Sequence, residues 1–160
     1  MGKYWVANNP NSEINDAKAQ KLAELSATSV SLAELNALDA DSTSVTITPN
    51  ATSVADGVAV EVAVQFKDAA GAVLDYPVAF DWYLSSAATG IALDSATAVA
   101  DGGAGFILME HVANSYGTSV TDATGLCDID ITEAGPDVLY LVIVMPDRRL
   151  AISASMTWAS

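Results

Sequence analysis

The chain reads as a mainly β protein, an antiparallel β-sandwich preceded by a short helical N-terminal segment. Three observations predict this. From Ser44 onward apolar residues recur at every second position, most clearly in Val58, Val60, Val62, Val64 and Phe66, the period of a strand with one buried and one wet face. Turn sequences such as Asp68-Ala69-Ala70-Gly71 and Asp122-Ala123-Thr124-Gly125 cut the region into strand-length pieces. Before residue 42 the apolar spacing is helical instead, so the chain divides into an N-terminal segment, 1–42, and a sandwich, 43–160.

The first predicted helix spans Ser12 to Ala27, with Ile14, Ala17, Leu22 and Leu25 near one face and Asn11 or Ser12 as N-cap. A second, shorter one opens at Ser31-Leu32-Ala33-Glu34, the spacing of a capping box. There the Ser31 hydroxyl accepts from the amide of Glu34 while that carboxylate reaches back. Its apolar stripe is Leu32, Leu35 and Leu38. Helices this short are marginal alone in water. Their leucines must therefore bury against the sandwich, another copy of the chain or a different protein.

In the second part, Val45 and Ile47 alternate with threonines before Pro49, and the valine strand follows with Ala59, Glu61, Ala63, Gln65 and Lys67 on its wet face. Past the turn at 68–71, Tyr76, Val78, Phe80, Trp82 and Leu84 form the next apolar face; Pro77 sits near its start, where a missing amide is tolerated. Residues 85–106 are rich in Ser, Ala, Thr and Gly. They predict an exposed connection suited to touching a target, with weak strands at Ile91–Leu93 or Thr97–Ala100 and a firmer one at Phe106–Val112. A short strand from Thr118, alternating Leu126–Thr132, the apolar run Val138–Met145 and a last strand Leu150–Trp158 complete the set, separated by the turns at 122–125, 133–137 and 146–149.

Composition bounds the function. Of 160 residues 51% are hydrophobic, enough to fill a core, and 20 acidic against 6 basic residues give a net charge of −14. That charge repels phosphate backbones and anionic lipid, arguing against nucleic acid and membrane as partners. It is concentrated after residue 40, where fifteen acids face Lys67, Arg148 and Arg149. The longest apolar run, Val138–Met145, is far shorter than the roughly 20 residues of a membrane helix. The first ten residues lack the apolar core of a secretion signal, so the expectation is synthesis in the cytoplasm and assembly there into something larger.

The chemistry of catalysis is hard to place. His111 is the only histidine and reads as an edge-strand or surface residue. Cys127, the only cysteine, alternates with Ile129 and Ile131 and reads as a small buried residue. One His and one Cys cannot build a zinc site. Asp128-Ile129-Asp130 and Asp39-Ala40-Asp41 raise the thought of calcium, but no EF-hand loop is present and metal is not expected. Among carboxylates only Asp81, beside Trp82 but on the opposite face, stands out. No phosphate loop or dinucleotide fingerprint occurs. A non-enzymatic protein without cofactor is expected.

Two stretches resemble known families. Thr121-Asp122-Ala123-Thr124-Gly125-Leu126, followed by Cys127, Ile129 and Ile131 on one face, resembles a signature of bacterial and phage Ig-like domains. Trp82 in the strand after the valine strand suits the core tryptophan of such sandwiches, although the flanking cysteine pair of antibody domains is absent. Ser31–Ala40 resembles the Ala-Glu-Leu-Asn-x-Leu-Asp segment of tailed-phage fibre, spike and head-fibre proteins, departing from it after Asp39, where Ala40-Asp41 replaces the common glycine. The resemblance implies a phage virion structural protein on the capsid surface, a decoration protein or short head fibre. Residues 1–42 would bind the major capsid protein or another virion protein and form a homo-oligomer, a trimer by preference. Tyr4, Trp5 and Val6 would serve as anchors, with Leu22, Leu25, Leu32, Leu35 and Leu38 at the interface. The acidic domain would face solvent, free for weak contact with a host surface. Alternatives are a tail-tube, baseplate or receptor-binding fibre component, or a carbohydrate-binding module using Trp82, Tyr83 and Tyr116.

Overall fold

A computed structural model describes residues 44–145 and 148–160. The expected helices and the anchor residues Tyr4, Trp5, Val6, Leu22, Leu25, Leu32, Leu35 and Leu38 lie outside the described residues. Twelve strands are described: β1 (Ser44–Pro49), β2 (Ser53–Ala55), β3 (Ala59–Lys67), β4 (Ala79–Ser85), β5 (Leu93–Asp94), β6 (Ala98–Asp101), β7 (Phe106–Val112), β8 (Tyr116–Val120), β9 (Leu126–Thr132), β10 (Asp137–Val144), β11 (Leu150–Ile152) and β12 (Met156–Ala159). They form a β-sandwich of a small sheet, ordered β1-β3-β9-β6, and a large one, ordered β2-β12-β10-β4-β8-β7, with β11 beside β10 and β5 beside β4.

The alternation seen in the sequence produces this layering. Val60, Val62, Val64 and Phe66 of β3 and Cys127, Ile129 and Ile131 of β9 all point inward from the small sheet and are fully buried. Facing them are Phe80, Trp82 and Leu84 of β4, Leu139, Leu141 and Ile143 of β10, and Met156 and Trp158 of β12. The two inner faces remove a large apolar area from water, the main force holding such a sandwich together. Phe66 and Phe80 meet across the layers with ring centroids 5.0 Å apart and tilted by 48°, a favourable aromatic geometry. Each buried indole also satisfies its N–H: Trp82 Nε1 donates to Ser119 Oγ at 2.8 Å and Trp158 Nε1 to the Val58 carbonyl at 2.8 Å.

Four details differ from the sequence expectation. Val58 and Tyr76 do not join their apolar faces: they sit in the turns before β3 and β4 and are 47% and 41% exposed. The sandwich is not wholly antiparallel, because β2 runs parallel to β12. The chain leaves the small sheet after β1, crosses at Asn50–Thr52 and continues along the edge of the large one. Residues 85–106 are not a bare connection but carry both weak strands, β5 and β6, pinned by side chains. Glu133 accepts from the Thr97 amide and hydroxyl, at 3.0 and 2.9 Å. The Asn114 side chain accepts from Val99 N–H and donates to the Thr97 carbonyl, both at 3.0 Å. Finally, the last strand is broken into β11 and β12 around a buried Ser153.

Candidate functional site

The outer face of the large sheet gathers the polar and aromatic side chains that the core does not use. Residues in cross-strand register share a face. One row across the sheet runs Met109, Thr118, Asp81, Val144, and the next runs Val112, Tyr116, Tyr83, Val142. Asp81 and Tyr83 point outward because Phe80, Trp82 and Leu84, their neighbours on β4, point in. Part of this face is covered: Tyr83 Oη donates to the Gly90 carbonyl at 2.7 Å, and the loop there lies against Val142 and Ile152. That contact explains why Val142 is fully buried on an outward-facing position.

The pairing of β7 with β8 slips twice, between Ile107 and Met109 and again between Glu110 and Val112. Leu108 and His111 are the extra residues of two β-bulges, and bulges re-aim side chains. Here the second brings the His111 ring onto the outer face, where it lies over Tyr116 with centroids 4.7 Å apart and planes tilted by 31°. It also places Nε2 2.9 Å from Thr118 Oγ1. Thr118 in turn donates its hydroxyl proton to Asp81 Oδ1 at 2.5 Å. With that proton engaged, Oγ1 can only accept, which assigns Nε2–H as donor to it.

The resulting order, His111 to Thr118 to Asp81, is a positioning chain and not a nucleophile triad. In a triad the carboxylate orients the imidazole and the imidazole takes the hydroxyl proton. Here the carboxylate holds the hydroxyl directly, and the histidine is a donor. Beside the chain lies an open depression of about 380 Å³ lined by Asp81, Thr118, Val144, Met145 and Arg148. It is a shallow surface of mixed polar and apolar lining.

The other sheet presents a different face. Glu61 stands directly opposite Asp130, and Asp128 opposite Ala63. Burial pushes the Asp128 carboxyl above its ordinary value, and the charges of Asp122 and Asp130 push the same way, against a backbone hydrogen bond from Ala104. Among the described residues no group of three or more His, Cys, Asp or Glu side chains is placed to hold a metal ion. Cys127 is sealed beneath this region, its thiol pushed up to about 12 by burial and by the carboxylates of Asp128, Asp101 and Asp122. It is therefore inert as a nucleophile.

No family model matches this chain, and no curated protein matches it. Among solved structures it is similar to the cohesin module of a family 33 glycoside hydrolase from Clostridium perfringens ATCC13124. The TM-score is 0.42 at 15% identity, over 71% of this chain and 94% of that one.

Of the rings nominated from sequence for stacking on sugars, Tyr83 and Tyr116 are register partners on the outer face. Trp82 is not available, being fully buried. Alternation had placed Asp81 opposite Trp82 correctly. The His111 contact was invisible because a bulge shifts the face by one residue, and nothing in Phe106–Val112 marks where the extra residue falls.

Proposed function

We propose that this chain is a non-enzymatic virion structural protein of a tailed phage, a capsid decoration protein or short head fibre that attaches through residues 1–42 and displays an acidic Ig-like sandwich. The reading is carried by the resemblance of Ser31–Ala40 to head-fibre segments, joined to a domain whose polar side chains lie on open sheet faces. Support comes from the placement of charge: Glu61, Asp128 and Asp130 stand on a sheet face turned away from the core, where they keep a densely displayed particle soluble. Several weak anchors in one oligomer would give avid attachment without any single strong contact.

The test is a truncation beginning at Ser44, compared with the full chain for binding to empty heads and to isolated tails. The expected result is a folded truncation that binds neither, and a full chain that binds heads. Binding to tails alone would move the protein to the tail tube, baseplate or fibre tip. A second reading, a carbohydrate-binding module, is favoured by the adjacency of Tyr83 and Tyr116 beside His111. Glycan binding that is lost in Tyr116→Ala would establish it.

A further inference from the structure

The turn between β10 and β11 places an arginine where the backbone favours glycine. Arg148 has a φ of 67°, a left-handed conformation that strains a residue with a side chain and that concentrates at functional positions. Its amide donates to the Met145 carbonyl at 2.8 Å, and the Met145 amide donates to the Arg149 carbonyl at 2.9 Å, so the turn fixes where the Arg148 side chain starts. Arg148 and Asp81 line the same open depression, yet among the described residues no ion pair joins them or ties either to another side chain. Asp81 is held in place through one oxygen only: Oδ1 accepts from the Thr118 hydroxyl, which accepts in turn from His111 Nε2. Oδ2 is left as an acceptor, and the guanidinium keeps its fork of donors. We propose that this depression binds one ring of a neutral sugar, which donates one hydroxyl to Asp81 Oδ2 and accepts on the neighbouring hydroxyl from Arg148. The inference rests on the carbohydrate-binding reading and gives it a site and a class of ligand.

Charge decides the class. An anion in the depression would meet the Asp81 carboxylate on a chain of net charge −14, and a cation would meet Arg148, so either is opposed by a like charge. A neutral molecule that satisfies both groups must carry a donor and an acceptor side by side, and each hydroxyl of a vicinal diol is both. Bonds from such hydroxyls to ionised groups are of the stronger kind. The rest of the lining includes the apolar Ala79, Val144 and Met145. The C–H face of a sugar ring would cover these while its hydroxyl edge meets the charges, the usual division of labour in a small-molecule site. Register puts the two surfaces together, since Asp81 pairs with Val144 on one side and Thr118 on the other. One row along, the stacked rings of His111 and Tyr116, 4.7 Å apart, continue the surface toward a second sugar.

Saturation-transfer difference NMR of the full chain tests this, with the methyl glycosides of glucose, galactose, mannose and N-acetylglucosamine as probes and glucuronic and galacturonic acid beside them. The expected result is transfer to at least one neutral glycoside and much less to the uronic acids. Arg148→Gly and Asp81→Asn should each weaken that binding about tenfold or more, the worth of one hydrogen bond to a charged group. Asp81→Asn keeps an oxygen for Thr118, so the sheet beneath is undisturbed. Arg148→Gly separates binding from folding: it relieves the left-handed backbone, so its thermal midpoint should be no lower than that of wild type, whereas an arginine retained for the fold would lower it. Glycoside binding that is lost in Tyr116→Ala and unchanged in both other variants would place the sugar on the rings, overturning this inference and leaving the carbohydrate-binding reading intact. Equal transfer to the uronic acids would overturn the assignment to neutral sugars. Transfer to none of the probes would overturn the inference and that reading together.

Discussion

Leu141 and Ser153 exchange two hydrogen bonds, but only one joins backbone to backbone. The Ser153 amide donates to the Leu141 carbonyl at 2.9 Å, while the Leu141 amide donates to the Ser153 hydroxyl, also at 2.9 Å. The register explains the substitution. Val142 pairs with Ile152, but Leu139 pairs with Met156, so the last strand carries one residue more than β10 across this stretch. The extra residue breaks the ladder into β11 and β12, and a serine oxygen replaces the carbonyl that the break removes.

Ser153→Ala should therefore cost more than the loss of a small surface hydroxyl. The Leu141 amide would be left buried without an acceptor, a penalty of about 1–3 kcal/mol. Urea unfolding should show a lower midpoint at unchanged slope. A cost below roughly 0.5 kcal/mol would mean that the break does not depend on the serine.

Gly117 should tolerate no side chain at all. It is the register partner of Trp82, and an added Cβ would lie 2.7 Å from both the indole ring and the Met109 carbonyl. Neither neighbour can retreat, since the ring is fixed by its hydrogen bond to Ser119 and the carbonyl belongs to β7. Gly117→Ala should lose about 1–3 kcal/mol of stability, in the range for overpacking. Thermal unfolding, with the tryptophan fluorescence of the folded protein as a check on ring environment, would measure it.

The relation between sequence and structure follows the physics of each element. Val60 to Phe66, Phe80 to Leu84 and Cys127 to Ile131 were legible because alternation in a half-buried strand is a direct consequence of burial, and Asp81 could be assigned to the outer face by the same rule. Val58 and Tyr76 were misread because a turn interrupts the period without interrupting the composition. The bulges at Leu108, His111 and Ser153 were not legible, since an extra residue is set by tertiary pairing and leaves no local mark. The candidate site depends on one of them, so its aromatic members could be named from sequence while the His111–Thr118–Asp81 chain could not.

Removing one of two facing carboxylates should stabilise the small sheet. Glu61 and Asp130 are direct cross-strand partners, and like charges so placed are destabilising. Glu61→Gln is expected to gain about 0.2–1 kcal/mol at low salt. The gain should shrink as ionic strength rises, because both carboxylates are only half-buried on the solvent-facing side of the sheet and salt screens them. Denaturant midpoints at two salt concentrations give the answer, and a salt-independent gain would point to packing instead of charge.

Two aspartates six residues apart should push the pH dependence of stability in opposite directions. The Asp122 carboxylate caps its own turn, accepting from the Thr124 amide and hydroxyl at 2.7 Å each and from the Leu126 amide at 3.1 Å. The Thr124 hydroxyl first, and the two amides after it, lower its pKa below the ordinary 3.8. Its stabilisation is thus fully present above pH 3.8 and is lost as pH falls through the lowered value. Asp122→Ala should cost about 1 kcal/mol at neutral pH, with the difference from wild type fading in acid. Asp128 is raised above 3.8, chiefly by burial, so the folded state holds the proton more tightly than the unfolded one. Its charged form opposes folding once the pH exceeds the raised value, and that cost is absent below 3.8. Asp128→Asn should accordingly be more stable than wild type near neutrality and lose that advantage in acid. Stability measured from pH 3 to 8 for both variants decides this. Parallel profiles would show that neither carboxylate titrates differently in the folded and unfolded chains.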